Sequence, residues 1–144
     1  MSMLAEKKEV TLFLVEDDDV DAITIERSLK KQRIGNQMIR AHDGVEALEM
    51  MQNGKVPHPY IVLLDLQMPR MNGLEFLKSM RQDTTLTDTV VFILTTSNAD
   101  QDLIAGYENH IAGYFVKQEA GENFIDVIKT LDSYWKIVHF PDKQ

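Results

Sequence analysis

Asp65 closes the apolar run Tyr60-Ile61-Val62-Leu63-Leu64, and the turn-rich stretch Gln67-Met68-Pro69-Arg70-Met71-Asn72-Gly73 comes just after it. A carboxylate at the end of a buried strand, before a Pro/Gly turn, is held at a mouth and open to ligands. Glu16 and Asp17 end an earlier run, Val10-Thr11-Leu12-Phe13-Leu14-Val15. Three carboxylates gathered at strand ends repel one another, and a hard divalent cation with oxygen ligands relieves that repulsion. Mg²⁺ suits such a site, because it takes one or two carboxylates and keeps its other positions for water and phosphate oxygens. Two further strand ends carry complementary groups. Thr95 follows Val90-Val91-Phe92-Ile93-Leu94 with a hydroxyl donor, and Lys117 follows Gly113-Tyr114-Phe115-Val116 with a cation. A hydroxyl and an ammonium beside Mg²⁺ are what a transferred phosphoryl group needs, since its charge spreads over three oxygens. Asp18, Asp19 and Asp21 read differently, as acids that charge the start of the next helix.

The elements that would position these groups are legible in the hydrophobic pattern. Five short runs, at 10–15, 37–41, 60–65, 90–95 and 113–116, alternate with amphipathic stretches. The first, third and fourth are continuously apolar, as strands covered on both faces are. Ala22, Ile25 and Leu29 recur at helical spacing, as do Phe124, Ile128, Leu131, Trp135 and Val138 near the end. Asp43-Gly44-Val45-Glu46, Asn72-Gly73-Leu74-Glu75 and Asn98-Ala99-Asp100-Gln101 each set a capping side chain three residues before Glu or Gln. Pro57 and Pro59 fall in the connection before the third run, and 82–89 reads as a polar loop. The pattern is an α/β chain of the (βα)₅ kind, predicting a flavodoxin-like, doubly wound parallel sheet of order 2-1-3-4-5. In that order the first and third strands are neighbours at the switch point, where ligands collect. Glu16, Asp17 and Asp65 end those two strands.

The 144 residues make one domain, expected over 10–140 with a short head at 1–9 and a tail at 141–144. A net charge of −8 argues against nucleic acid, whose phosphates call for a Lys/Arg surplus. The absence of cysteine excludes disulfides and thiolate metal sites and fits a reducing compartment. Residues 1–9 lack the apolar core of a signal peptide, and no apolar stretch approaches the roughly 18 residues of a membrane span, so a cytoplasmic protein is expected. His42, His58, His110 and His139 show no ligand spacing.

An acid pair after the first strand, Asp65 at the third, Thr95 at the fourth and Lys117 at the fifth resemble the signature of response-regulator receiver domains. The resemblance extends over about 10–138. Leu94-Thr95-Thr96-Ser97 and His110-Ile111-Ala112-Gly113-Tyr114 are similar to the small stand-alone regulators paired with bacterial phytochrome kinases. The resemblance implies that Asp65 takes a phosphoryl group from a phosphohistidine of a sensor histidine kinase, or of a histidine phosphotransfer protein, and becomes an aspartyl phosphate. Asp17, Asp65 and the backbone carbonyl of Gln67 would bind Mg²⁺ directly, with Glu16 acting through water. Thr95 and Lys117 would hold the phosphoryl oxygens. Tyr114 would be the aromatic partner of a conformational switch, turning inward as Thr95 moves. Such a domain is a signalling phosphoacceptor rather than a turnover enzyme, acting by protein contact or phosphorelay. A homodimer through the fourth and fifth helices is a further expectation.

Three positions depart from the family pattern. Gln118 stands where a proline usually follows the lysine, Thr96 is larger than the usual small residue, and His110 replaces a common glycine. Two alternatives belong beside the resemblance. One is a receiver-like interaction module that is never phosphorylated. The other is a haloacid-dehalogenase-type phosphatase, whose Asp-x-Asp motif is partly met by Asp17-Asp18-Asp19, although Asp21 stands where Thr or Val is needed.

Overall fold

The computed structural model describes residues 10–31, 36–66, 68, 70–95 and 111–116, with only the backbone at 28, 29, 31, 95, 115 and 116. Five parallel strands, β1 (Thr11–Val15), β2 (Met38–Ala41), β3 (Tyr60–Asp65), β4 (Val90–Thr95) and β5 (Gly113–Val116), form one sheet in the order β2-β1-β3-β4-β5. Among the described residues three helices accompany them: α1 (Asp19–Lys31), α2 (Gly44–Gln52) and α3 (Gly73–Gln82). This is the doubly wound, flavodoxin-like arrangement that the alternation predicts. The last amphipathic stretch and the third capping signal, at Asn98, lie outside the described residues.

The continuous apolar runs follow from coverage of both sheet faces. Every residue of β1 and β3 is buried, and their side chains divide by alternation into two cores. Phe13, Val15, Val62, Leu64 and Val91 pack with Ala47 and Met51 of α2 and Phe76, Leu77 and Met80 of α3. Leu12, Leu14, Ile61, Leu63, Phe92 and Leu94 face the other way, with Ala22 and Ile25 of α1. Burying each such large apolar side chain stabilises the fold by about 1.5–3 kcal/mol. The segment 82–89 is less polar in effect than in composition. Leu86 is buried within it, and the Arg81 guanidinium donates to the carbonyls of Thr87 and Thr89 at 2.7 and 2.8 Å.

Helix starts obey the local chemistry. Asp43 caps α2 by accepting from the Glu46 amide at 2.9 Å. Asn72 and Glu75 form a reciprocal capping box on α3, at 2.9 and 3.1 Å. Asp18 accepts from the amides of Val20 and Asp21 at 2.8 and 3.1 Å, so the acids after Asp17 serve the first turn of α1. At the other end of α2, Gly54 has φ +68, and the amides of Gly54 and Lys55 return to the carbonyls of Met51 and Met50. That Schellman-type closure requires a left-handed residue, which glycine supplies without steric cost.

Candidate metal centre and phosphoacceptor site

Register brings the acids together. Val15 pairs with Leu64, so the next residues, Glu16 and Asp65, stand level at the carboxyl ends of adjacent strands. Ligand atoms of Glu16, Asp17 and Asp65 all lie within 4.8 Å of one another. Glu16 and Asp65 are buried and Asp17 is exposed, so the cluster is sunk at the carboxyl end of the sheet and open on one side. Three hard oxygen donors so close repel unless a cation sits among them, which makes this donor set fit a hard divalent ion.

Glu16 is held by its backbone. The Glu16 amide donates to the Ala41 carbonyl at 3.0 Å. Arg40 of β2 donates from Nε to the Glu16 carbonyl at 2.9 Å and from Nη1 to Asp19 at 2.8 Å. One guanidinium thus ties the edge strand to both ends of the acidic β1–α1 turn. Sequence reading missed Arg40 because it treated 37–41 only as an apolar run. The signal was a lone cation near the end of a strand beside a run of acids.

Asp65 is backed by a glycine whose lack of a side chain matters. A Cβ on Gly73 would lie 2.4 Å from the Asp65 carbonyl oxygen and 2.8 Å from the Leu66 Cα. The Gly73 amide also donates to the Leu66 carbonyl at 3.1 Å, closing the base of the β3–α3 loop. Further along that loop, Arg70 adopts φ 62. Its Nε donates to Asp43 Oδ2 at 2.8 Å and its Nη2 to Asp43 Oδ1 at 3.0 Å. The Arg70 hydrogen bond, reinforced by the Glu46 amide, holds the Asp43 carboxyl below its ordinary value of 3.8 against the opposing effect of burial. Sequence alone gave no signal for this pairing across 27 positions.

The other expected site residues divide. Asp65 is level with Leu94, so Thr95 ends β4 one residue beyond it, with Val116 of β5 alongside. Tyr114 lies on β5 opposite Ile93 and is 40% exposed. The Thr95 side chain, Gln67, Lys117, Thr96, His110 and Gln118 lie outside the described residues. His42 and His58 are exposed, His42 beside Glu46 at 3.2 Å. A cavity of about 440 Å³ lined by Arg81, Asp88, Val90 and Ile111 opens at the start of β4. It is at the opposite end of the sheet from the acids.

The response regulator receiver domain matches residues 12–129 of the chain. The chain belongs to that family. Response regulator Rcp1 of Synechocystis sp. is 31% identical over 128 residues, covering 86% of this chain and 87% of the relative. The crystal structure of the Mn²⁺-bound form of Rcp1 superposes with a TM-score of 0.72 at 30% identity, over 92% of this chain and 99% of that one. The phosphorylated cyanobacterial phytochrome response regulator RcpA gives a TM-score of 0.75 at 26% identity, over 94% and 100% of the two chains. The chain is therefore a two-component receiver domain, similar to regulators that work with phytochromes. Membership in this signalling family sets aside the haloacid-dehalogenase alternative.

Proposed function

We propose that this receiver accepts a phosphoryl group on Asp65 from a phosphohistidine of a sensor histidine kinase or a histidine phosphotransfer protein. The observation that carries this reading is the level placement of Glu16 and Asp65 at the switch point, with Asp17 completing the acid cluster. An Asp65 carboxylate oxygen attacks phosphorus, the P–N bond breaks, and its electron pair leaves on the imidazole nitrogen. Asp17, Asp65 and the Gln67 carbonyl would hold Mg²⁺, with Glu16 behind them. When bound, the ion supplies positive charge against the phosphoryl oxygens. Burial of Asp65 at the strand end fixes the direction of its approach to the donor.

Thr95 and Lys117 are assigned to the phosphoryl oxygens by the resemblance. For Thr95 the register supports this, since β4 ends beside β3 next to Asp65. Tyr114, exposed on the neighbouring strand, is assigned to the switch. Residues 10–140 are taken as the receiver, flanked by a head and a short tail, in the cytoplasm. Among the described residues no helix is long and apolar enough to cross a membrane. The expected dimer face involves elements outside the described residues.

The test is intact mass after incubation with Mg²⁺ and a small acyl-phosphate or phosphoramidate donor, with Asp65→Asn in parallel. A Mg²⁺-dependent phosphoryl gain that is absent from the variant is expected. Retention of the gain in Asp65→Asn would move the phosphoacceptor elsewhere. No gain in the wild type, from small donors and from a purified sensor kinase alike, would leave the unphosphorylated interaction module.

A further inference from the structure

The β3–α3 loop leaves Asp65 and returns to the start of α3. Its base is closed by the Gly73–Leu66 hydrogen bond. Its far side is fastened to α2 by the two-pronged Arg70–Asp43 contact, at 2.8 and 3.0 Å. A second contact reinforces this one. A Cβ on Gly44, the residue after Asp43, would lie 2.8 Å from Met71 Cγ and 2.9 Å from the Met71 carbonyl oxygen. The first turn of α2 therefore sits directly on the residue after Arg70.

Arg70 is the one non-glycine residue with positive φ among the described residues. Arginine has no short side chain to favour that conformation locally, as Asn or Asp does. A tertiary contact must hold it there, and the planar fork on Asp43 is that contact. The Asp43 side chain is 12% exposed and that of Arg70 59%, so the pair is sheltered on the carboxylate side and open to water on the other. Its specificity comes from the two-pronged geometry rather than from burial. Glu46 and Glu49 of α2 add to the negative surroundings of the guanidinium.

We propose that Arg70 and Asp43 are a positioning pair, clamping the β3–α3 loop to α2 so that the backbone behind Asp65 is held in place for the cation site. This rests on the reading of Glu16, Asp17 and Asp65 as that site. Neither residue is among the clustered acids; both act through the loop.

The experiment is Mn²⁺ titration by electron paramagnetic resonance on wild type, Arg70→Ala, Arg70→Gly, Asp43→Asn and the Asp43→Asn/Arg70→Ala double variant. Amide exchange at Gly73 is followed by NMR in metal-free samples of the same proteins. Asn still caps α2, so Asp43→Asn removes the pair without removing the helix start. The clamp predicts that Arg70→Ala and Asp43→Asn each weaken Mn²⁺ binding by about tenfold, the lower end for groups that orient a ligand shell. The double variant should be no weaker than either single one. Arg70→Gly should lose less than Arg70→Ala, because glycine adopts the positive φ freely while losing the same charge. Gly73 exchange should quicken in Arg70→Ala and Asp43→Asn. A simple field effect also weakens Mn²⁺ binding in Asp43→Asn but differs at Arg70→Ala, which it predicts to bind Mn²⁺ more tightly than wild type. That pattern, or unchanged binding and unchanged exchange, overturns the clamp. A wild type that binds no Mn²⁺ overturns the cation reading instead, and Gly73 exchange then decides alone whether the clamp orders the loop.

Discussion

Replacing Gly73 with alanine tests whether the close approach behind Asp65 serves its proposed role as phosphoacceptor. The new Cβ would stand 2.4 Å from the Asp65 carbonyl oxygen, 2.8 Å from the Leu66 Cα and 3.1 Å from the Asp65 carbonyl carbon. All three are backbone atoms, so no side-chain rotation relieves the contact. The start of α3 or the end of β3 must shift by at least about 0.6 Å to restore a tolerable separation. Overpacking of this kind costs about 1–3 kcal/mol. The reduced freedom of the unfolded chain returns about 0.4–1 kcal/mol. Midway through both ranges the net loss is about 1.3 kcal/mol, a fall in Tm of about 3–6 °C for a chain of this size. The functional loss should be larger in proportion, because the displaced backbone carries Asp65, the proposed nucleophile. Misplacement approaching 1 Å can slow a positioned reaction by about 100-fold, so phosphorylation about 10–100-fold slower is expected. Thermal melts and the intact-mass time course with a small phosphodonor measure the two effects on one sample. A Gly73→Ala protein that melts with the wild type refutes the steric argument. One that melts lower but is phosphorylated at the wild-type rate refutes the link from this contact to Asp65.

Gly54→Ala supplies the contrast: nothing lies within 4 Å of its Cβ, but φ is +68, so about 1 kcal/mol should be lost to backbone strain alone, with phosphorylation unchanged. Urea denaturation should show Asp43→Asn less stable than wild type at neutral pH. Because the folded Asp43 pKa is depressed, its contribution is present above the ordinary 3.8 and is lost as pH falls through the depressed value. The gap between the two proteins should therefore close in acid, and a gap that stays constant would deny Asp43 its ionic role. Fluorine NMR of fluorotyrosine-labelled protein should show the Tyr114 ring moving from its 40% exposed position into a less accessible one on phosphorylation. An unmoved Tyr114 signal in fully phosphorylated protein would remove it from the switch.

The sequence by itself determined the strands, because burial on both sheet faces demands continuous apolar runs and such runs are visible without coordinates. The expected strand segments lie within one residue of Thr11–Val15, Met38–Ala41, Tyr60–Asp65, Val90–Thr95 and Gly113–Val116. Caps were legible for a similar reason: Asp43 and Asn72 act on amides three residues away, so their chemistry is local. The acid cluster was legible in part, because strand ends in a doubly wound sheet converge once the order is known. Only the tertiary structure decided what joins elements far apart in the chain. The fork from Arg70 to Asp43, the reach of Arg40 to the Glu16 carbonyl and the close backbone approach at Gly73 each depend on one element meeting another. Such contacts are set by how helices pack on the sheet, and no spacing along the sequence encodes that distance.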